Sequence, residues 1–110
     1  MLINKQETTV TFTKEASSYQ EFLANFFKAY ANHKEYHIII NLFSIEKLTA
    51  NDLLEFLEVS KNHKNNKKSF VIITDDINIE SLPDDLIVVP TLQEAIDIIE
   101  MEEIERDLDF

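Results

Sequence analysis

Residues 37–74, "HIIINLFSIEKLTANDLLEFLEVSKNHKNNKKSFVIIT", decide the fold. The stretch opens on a continuous apolar run, "HIIINLF", and closes on another, "SFVIIT", with an amphipathic segment carrying Leu53, Leu54, Phe56 and Leu57 between them. Unbroken apolar runs that alternate with a helical pattern read as central strands covered on at least one face. The helix opens at "TAND", where Thr49 is the N-cap and Asp52, three residues on, supplies the acid of a capping box. It ends in "KNHKNNKK", where cations suit the negative end of the helix dipole.

Working outward toward the N-terminus, "TTVTFT" (residues 8–13) alternates Val10 and Phe12 with threonines, the period of a half-buried strand. "MLIN" before it supplies a partner strand, with a hairpin turn near residues 5–7. In "SSYQEFLANFFKAYANH", Tyr19, Phe22, Leu23, Phe26, Phe27 and Tyr30 fall on one aromatic-rich helical face, opened by Ser18 and Glu21 as a second capping box. Toward the C-terminus, "DDINIESLPDD" reads as a loop and "LIVVP" as a third buried strand ended by Pro90. A last helix starts at "TLQE", capped by Thr91 with Glu94, and runs to about residue 108 without Gly or Pro to stop it. Its residues Leu92, Ala95, Ile96 and Ile99 form one stripe, while Ile98, Met101, Ile104 and Leu108 drift onto another. The whole is expected to be one α/β domain over residues 1–110, a mixed sheet of four to five strands with helices covering one face and an extended acidic helix over about 91–108.

Composition removes whole classes of function. At 110 residues and 45% hydrophobic the chain has the size of a single core that folds without staples. It has no cysteine, so disulfides and thiolate metal sites are out, in keeping with a reducing compartment. No segment approaches a membrane span or a secretory leader, and the expectation is a soluble cytoplasmic protein. A net charge of −11 disfavours nucleic acid, which is bound mainly by neutralising phosphates. The charge is also uneven: Lys61, Lys64, Lys67 and Lys68 cluster in one run, whereas beyond Ser69 the sole base is Arg106. Basic and acidic ends of one domain would permit head-to-tail or reciprocal pairing. The chain has no glycine at all where average usage would place about eight, which excludes the usual phosphate-cradling loops and leaves turns to Asn, Asp and Pro.

Individual side chains add little catalytic signal. His33 and His37 lie at the end of a helix and the start of a strand, and they read as surface histidines rather than metal ligands. Asp75–Asp76 and Asp84–Asp85 read as solvated turns rather than a cation site or an acid–base pair. Ser44, Ser60, Ser69 and Ser81 have no histidine in a suggestive motif. No cofactor or metal is expected.

From "HIIINLFSIEKLT" through "SFVII" to "TLQEAIDII" the chain resembles STAS domains, the fold of bacterial anti-sigma factor antagonists and of sulfate-transporter cytoplasmic tails. That resemblance covers roughly residues 8–99 and implies a regulatory protein-interaction module. In phosphorylated members a hydroxyl at the start of the second helix receives the phosphate, where amides and dipole favour an anion. Here Thr49 is the available hydroxyl, Asn51 stands where the acceptor belongs, and Asp52 replaces a glycine. An acid at that place repels phosphate, so Thr49 reads as a helix cap. The whole chain is also similar to short bacterial proteins often labelled ribonuclease Z. That enzyme holds two zinc ions with an HxHxDH cluster and further ligands, and no such spacing exists among His33, His37 and His63.

The expectation is therefore a non-enzymatic cytoplasmic STAS-like module that docks a protein partner or a second copy, with contacts at Thr49, Asn51 and Asp52 and along Met101, Ile104, Leu108 and Phe110. The alternatives are an accessory to a ribonuclease Z-type enzyme or a small-ligand sensor in the cleft between sheet and helix.

Overall fold

The structure, a computed structural model, describes residues 1–15, 17–43, 45, 48–75 and 82–108. Its five strands are β1 (Leu2–Gln6), β2 (Thr9–Thr13), β3 (His37–Asn41), β4 (Phe70–Ile73) and β5 (Ile87–Val89). The helices are α1 (Tyr19–Tyr30), α2 (Ala50–Leu53), α3 (Leu57–Asn65) and α4 (Leu92–Leu108). In the sheet the strands lie in chain order, β1 antiparallel to β2 and all later neighbours parallel. The expected hairpin forms with its turn at Glu7 and Thr8, slightly beyond where the sequence placed it.

The second helix is not one continuous element. A 3₁₀ turn over Leu54–Phe56 joins α2 to α3. Across the three pieces Leu53, Phe56, Ser60 and His63 stay buried at spacings of three, four and three, one inward line.

Register explains the two layers. Ile3 and Lys5 share one side of the sheet, the front, with Val10, Phe12, Ile38, Ile40, Phe70, Ile72 and Val88. On this side α1 packs Phe22 and Phe26 and the second helical unit packs Leu53 and Phe56, giving the main core. Successive right-handed crossovers stepping in one direction put α1 and α3 on the same face.

The other side, the back, carries Ile39, Val71 and Ile73, covered by Ala95 and Ile99 of α4. The expectation of helices on one face is corrected here: α4 lies opposite the others. The reason is visible in β3, β4 and β5, which are apolar at every position or nearly so and would leave a wet hydrophobic face if only one side were packed.

The glycine-free turns fall partly as expected: Asp84 and Asp85 form a turn closed by Leu86 N–H donating to Pro83 C=O at 3.1 Å, and Asn66 lies in the turn after α3. Among the described residues Glu7 at 57° and Lys67 at 64° hold positive φ. At Lys67 the main chain ends α3 with Lys68 N–H donating to His63 C=O at 3.2 Å and Lys67 N–H to Lys64 C=O at 2.9 Å. That is a Schellman ending, whose left-handed position favours glycine.

Candidate functional site

The start of α2 is built from its own side chains. Thr49 Oγ1 accepts from the Asp52 N–H at 3.2 Å, and Asp52 Oδ2 accepts from the Thr49 N–H at 2.9 Å, so the expected capping box closes. Tyr19 Oη donates to the Asp52 carbonyl at 2.7 Å and ties α1 to this turn. Burial, with the Asp52 and Glu55 carboxylates nearby, pushes the Tyr19 phenol well above its ordinary range. Of the three polar residues expected to meet a partner here, Thr49 and Asp52 are spoken for by each other, and Asn51 is exposed.

His33 and His37 are not surface residues, which corrects the sequence reading: both are buried, as is His63. His33 Nδ1 donates to the Ala29 carbonyl at 2.7 Å and its ring stands edge-on to Phe12. His63 Nε2 meets the Tyr36 carbonyl at 2.7 Å, an acceptor, so that nitrogen carries the proton and Nδ1 accepts from Tyr30 Oη at 2.6 Å. With both nitrogens used by a neutral ring, burial pulls the His63 pKa down. His37 Nδ1 accepts the Ser69 N–H at 3.0 Å, so Nε2 donates to Glu103 at 2.9 Å. Burial lowers its pKa against the opposing pull of Glu103.

Beside His37 lies a polar cluster that no motif announces. Ser69, fully buried at the foot of β4, donates from Oγ to Glu102 at 2.6 Å and accepts from Arg106 Nη2 at 3.0 Å. Arg106 and Glu102 are also paired at 3.7 Å, one turn apart on α4. Arg106 Nη1 is buried and has no hydrogen-bond partner among the described residues. Although His37 and Ser69 are adjacent, the histidine is bonded to the serine's main chain and the hydroxyl proton goes to Glu102. A nucleophile needs its base on the hydroxyl, and that geometry is missing here. The cluster instead clamps the C-terminal half of α4 onto β3 and β4.

The same region revises the charge map. Lys67 and Lys68 share a shallow groove with Glu103, Arg106 and Asp107, and Lys64 shares another with Glu102 and Glu105. The lysine run therefore lies beside the acidic helix, at the same end of the molecule, and head-to-tail pairing of opposite ends loses its basis. Asp85 is likewise engaged: Ser60 Oγ and Lys64 Nζ both donate to its carbonyl at 2.9 Å, and Lys61 pairs with its carboxylate at 3.7 Å. Asp84 is exposed, and Asp76, Ser44 and Ser81 lie outside the described residues. Among the described residues no group of three or more His, Asp or Glu is placed to hold a metal ion, and no helix is long and apolar enough to cross a membrane.

The far side of α4 faces outward. Met101, Ile104 and Leu108 are 55%, 59% and 74% exposed, at i, i+3 and i+7 on the side turned away from Ala95 and Ile99. Leu92, expected in the buried stripe, is also half exposed. It lines a trough of about 170 Å³ with Ile96 against Thr9, Thr11 and Thr13 of the back face, because α4 stops short of β1 and β2. Phe110 lies outside the described residues. No family model matches the chain, and no curated protein matches it.

Proposed function

We propose that this chain is a non-enzymatic docking module of STAS-like fold whose partner is a protein bearing an apolar ridge between Lys or Arg residues, seated on the outer face of α4. The observation that carries this reading is the exposed Met101, Ile104 and Leu108 stripe on a helix whose opposite side is already docked. Apolar residues all round a helix imply cover on more than one side. Acids border the stripe at Asp97, Glu100, Glu105 and Asp107, and they favour a basic rim on whatever covers it. The STAS-like part of the reading is supported by the hairpin, helix, strand, helix, strand order; by the resemblance, Asn51 stands where phosphorylated members carry their acceptor, beside the self-capped Thr49. Binding would then be constitutive rather than gated by phosphate at that turn.

The probe is a synthetic amphipathic peptide with Leu at i, i+3 and i+7 flanked by lysines, titrated into isotopically labelled protein. Shift changes centred on Met101, Ile104 and Leu108, absent with a scrambled peptide, lost in Ile104→Asp and weakened by salt, are expected. Changes centred elsewhere, or an unaltered response in Ile104→Asp, would overturn the assignment of the face.

A further inference from the structure

We propose that β1 is a pairing edge for a second copy of the chain, joined antiparallel about Asn4 so that two five-stranded sheets continue as one. This surface is separate from the α4 stripe. All five residues of β1 are exposed, the strand pairs with β2 in unbroken register, and no described element covers its outer side. Sheet edges are normally blunted by proline, bulges, short length or several charges. β1 has none of these beyond Lys5, whose ammonium sits 5.3 Å from the centre of the Tyr36 ring. The opposite edge shows the contrast: β5 has three half-buried residues and stops at Pro90.

Hydrogen-bond parity and the avoidance of like charges together select the register. In a two-residue hairpin the residues flanking the turn, Gln6 and Thr9, form a hydrogen-bonded pair, so Leu2, Asn4 and Gln6 bond to β2. Ile3 and Lys5 then direct N–H and C=O outward. Antiparallel pairing about Asn4 sets Ile3 opposite Lys5 of the other copy, twice by symmetry, and makes both outward residues of each strand into hydrogen-bonded pairs. Centring on Lys5 would oppose two ammonium groups, centring on Ile3 would set the Lys5 ammonium opposite the N-terminal residue Met1 with its own ammonium, and a slip by one residue would mismatch the outward groups.

Charge selects a second copy as the occupant. The chain is at −11, yet β1, LINKQ, contains no acid. Two copies can meet here without setting carboxylates against each other, whereas α4 exposes Asp97, Glu100, Glu105 and Asp107 around its outer face and repels its like there. The two-fold axis perpendicular to the sheet keeps both α4 helices on one side, where they flank a shared floor containing Asn4, Gln6, Thr9, Thr11 and Thr13 from each copy.

The absence of cysteine makes a clean test possible. Asn4→Cys places two thiols in a non-hydrogen-bonded antiparallel pair with Cα atoms about 4.5 Å apart, within disulfide range. Mild oxidation of the folded full chain should give a covalent dimer, while Ile3→Cys should not. Sedimentation of the unmodified chain should show a doubling of mass with concentration, favoured by salt as net repulsion is screened. Lys5→Pro, which deletes an outward N–H, should leave a monomer with unchanged circular dichroism, and Ile104→Asp should dimerise normally. A chain that stays monomeric at every concentration and salt, a dimer that survives Lys5→Pro, or a dimer lost in Ile104→Asp would each overturn the proposal.

Discussion

On the front of the sheet Phe26 meets the rings of Phe12 at 5.0 Å, Phe27 at 5.3 Å, Phe56 at 5.5 Å, Tyr30 at 5.7 Å and Phe70 at 6.2 Å. On the back, α4 rests on Ile39, Val71 and Ile73 through Ala95 and Ile99, and its second half is held by Ser69, Glu102, Arg106 and His37. One side is stabilised by interlocked rings from two helical units, the other by a small aliphatic contact and a polar clamp. Rings resist being pulled apart at any pH or salt, whereas a clamp of charges responds to both. The back is thus where the molecule can be adjusted without being unfolded.

The largest effect should come from the front. Phe26→Ala removes the ring on which the aromatic cluster converges and is expected to destabilise by about 3–5 kcal/mol, against about 2–4 kcal/mol for Ile99→Ala on the back. Urea midpoints of the two variants read the difference, and an Ile99 loss equal to or above that of Phe26 would break the comparison.

Next comes the clamp. Ser69→Ala takes away the hydroxyl that Glu102 and Arg106 share, leaving two part-buried charged groups short of a partner, at about 1 kcal/mol. Amide exchange should speed up in the second half of α4 while its first half stays protected, since Ala95 and Ile99 are untouched. Uniform exchange along the helix would show that the clamp is not what holds that half.

Below the clamp in size is a pH effect. His63 is neutral in the fold and its pKa is lowered from 6.5 by burial, so at mildly acidic pH the unfolded chain binds a proton that the native state refuses. The contribution is fully present above about 6.5 and is lost as pH falls below it toward the depressed folded value. Overall acidification also discharges carboxylates, so the measurement is a difference: wild type minus His63→Gln, whose amide can occupy the ring's place without titrating. The stability gap should narrow from about pH 7.5 to about pH 5, and a gap that does not change with pH would show that His63 already titrates normally.

The smallest effect is a gain. Lys67 holds φ at 64° in the position that ends α3, and Lys67→Gly should add about 0.5–1 kcal/mol by removing the left-handed penalty. A loss instead would mean that the lysine side chain contributes more to the fold than its backbone conformation takes away.

Much of the front was readable from residue spacing. Phe22 and Phe26 on α1, the Thr49 cap with Asp52, and the Val10 and Phe12 alternation all follow from local periods of 3.6 and 2. The back was less readable. Continuous apolar strands such as "FVII" already imply cover on both faces, but nothing in α4 says which face it takes, because its apolar residues point in every direction. The polar cluster was not legible at all. Ser69 and Glu102 are 33 positions apart, and His37 and Ser69 are 32 apart, so the register of β3 and β4 and the docking of α4 are both needed to bring them together. His37 was misread for the same reason, and His33 because its ring is enclosed against Phe12 of a distant strand although its hydrogen bond to Ala29 is local.

Strand order that equals chain order has a consequence for how the molecule assembles. Each strand from β2 onward is laid beside the one just completed, so the sheet can grow at a single advancing edge, each pairing waiting only for the crossover that precedes it. α4 comes last and meets β3 and β4 only after both exist. Substitutions under α4 such as Ile99→Ala should therefore speed unfolding and leave the refolding rate nearly untouched, while Phe26→Ala slows refolding. The order in which a ribosome delivers this chain is also the spatial order of its strands, with the acidic helix last.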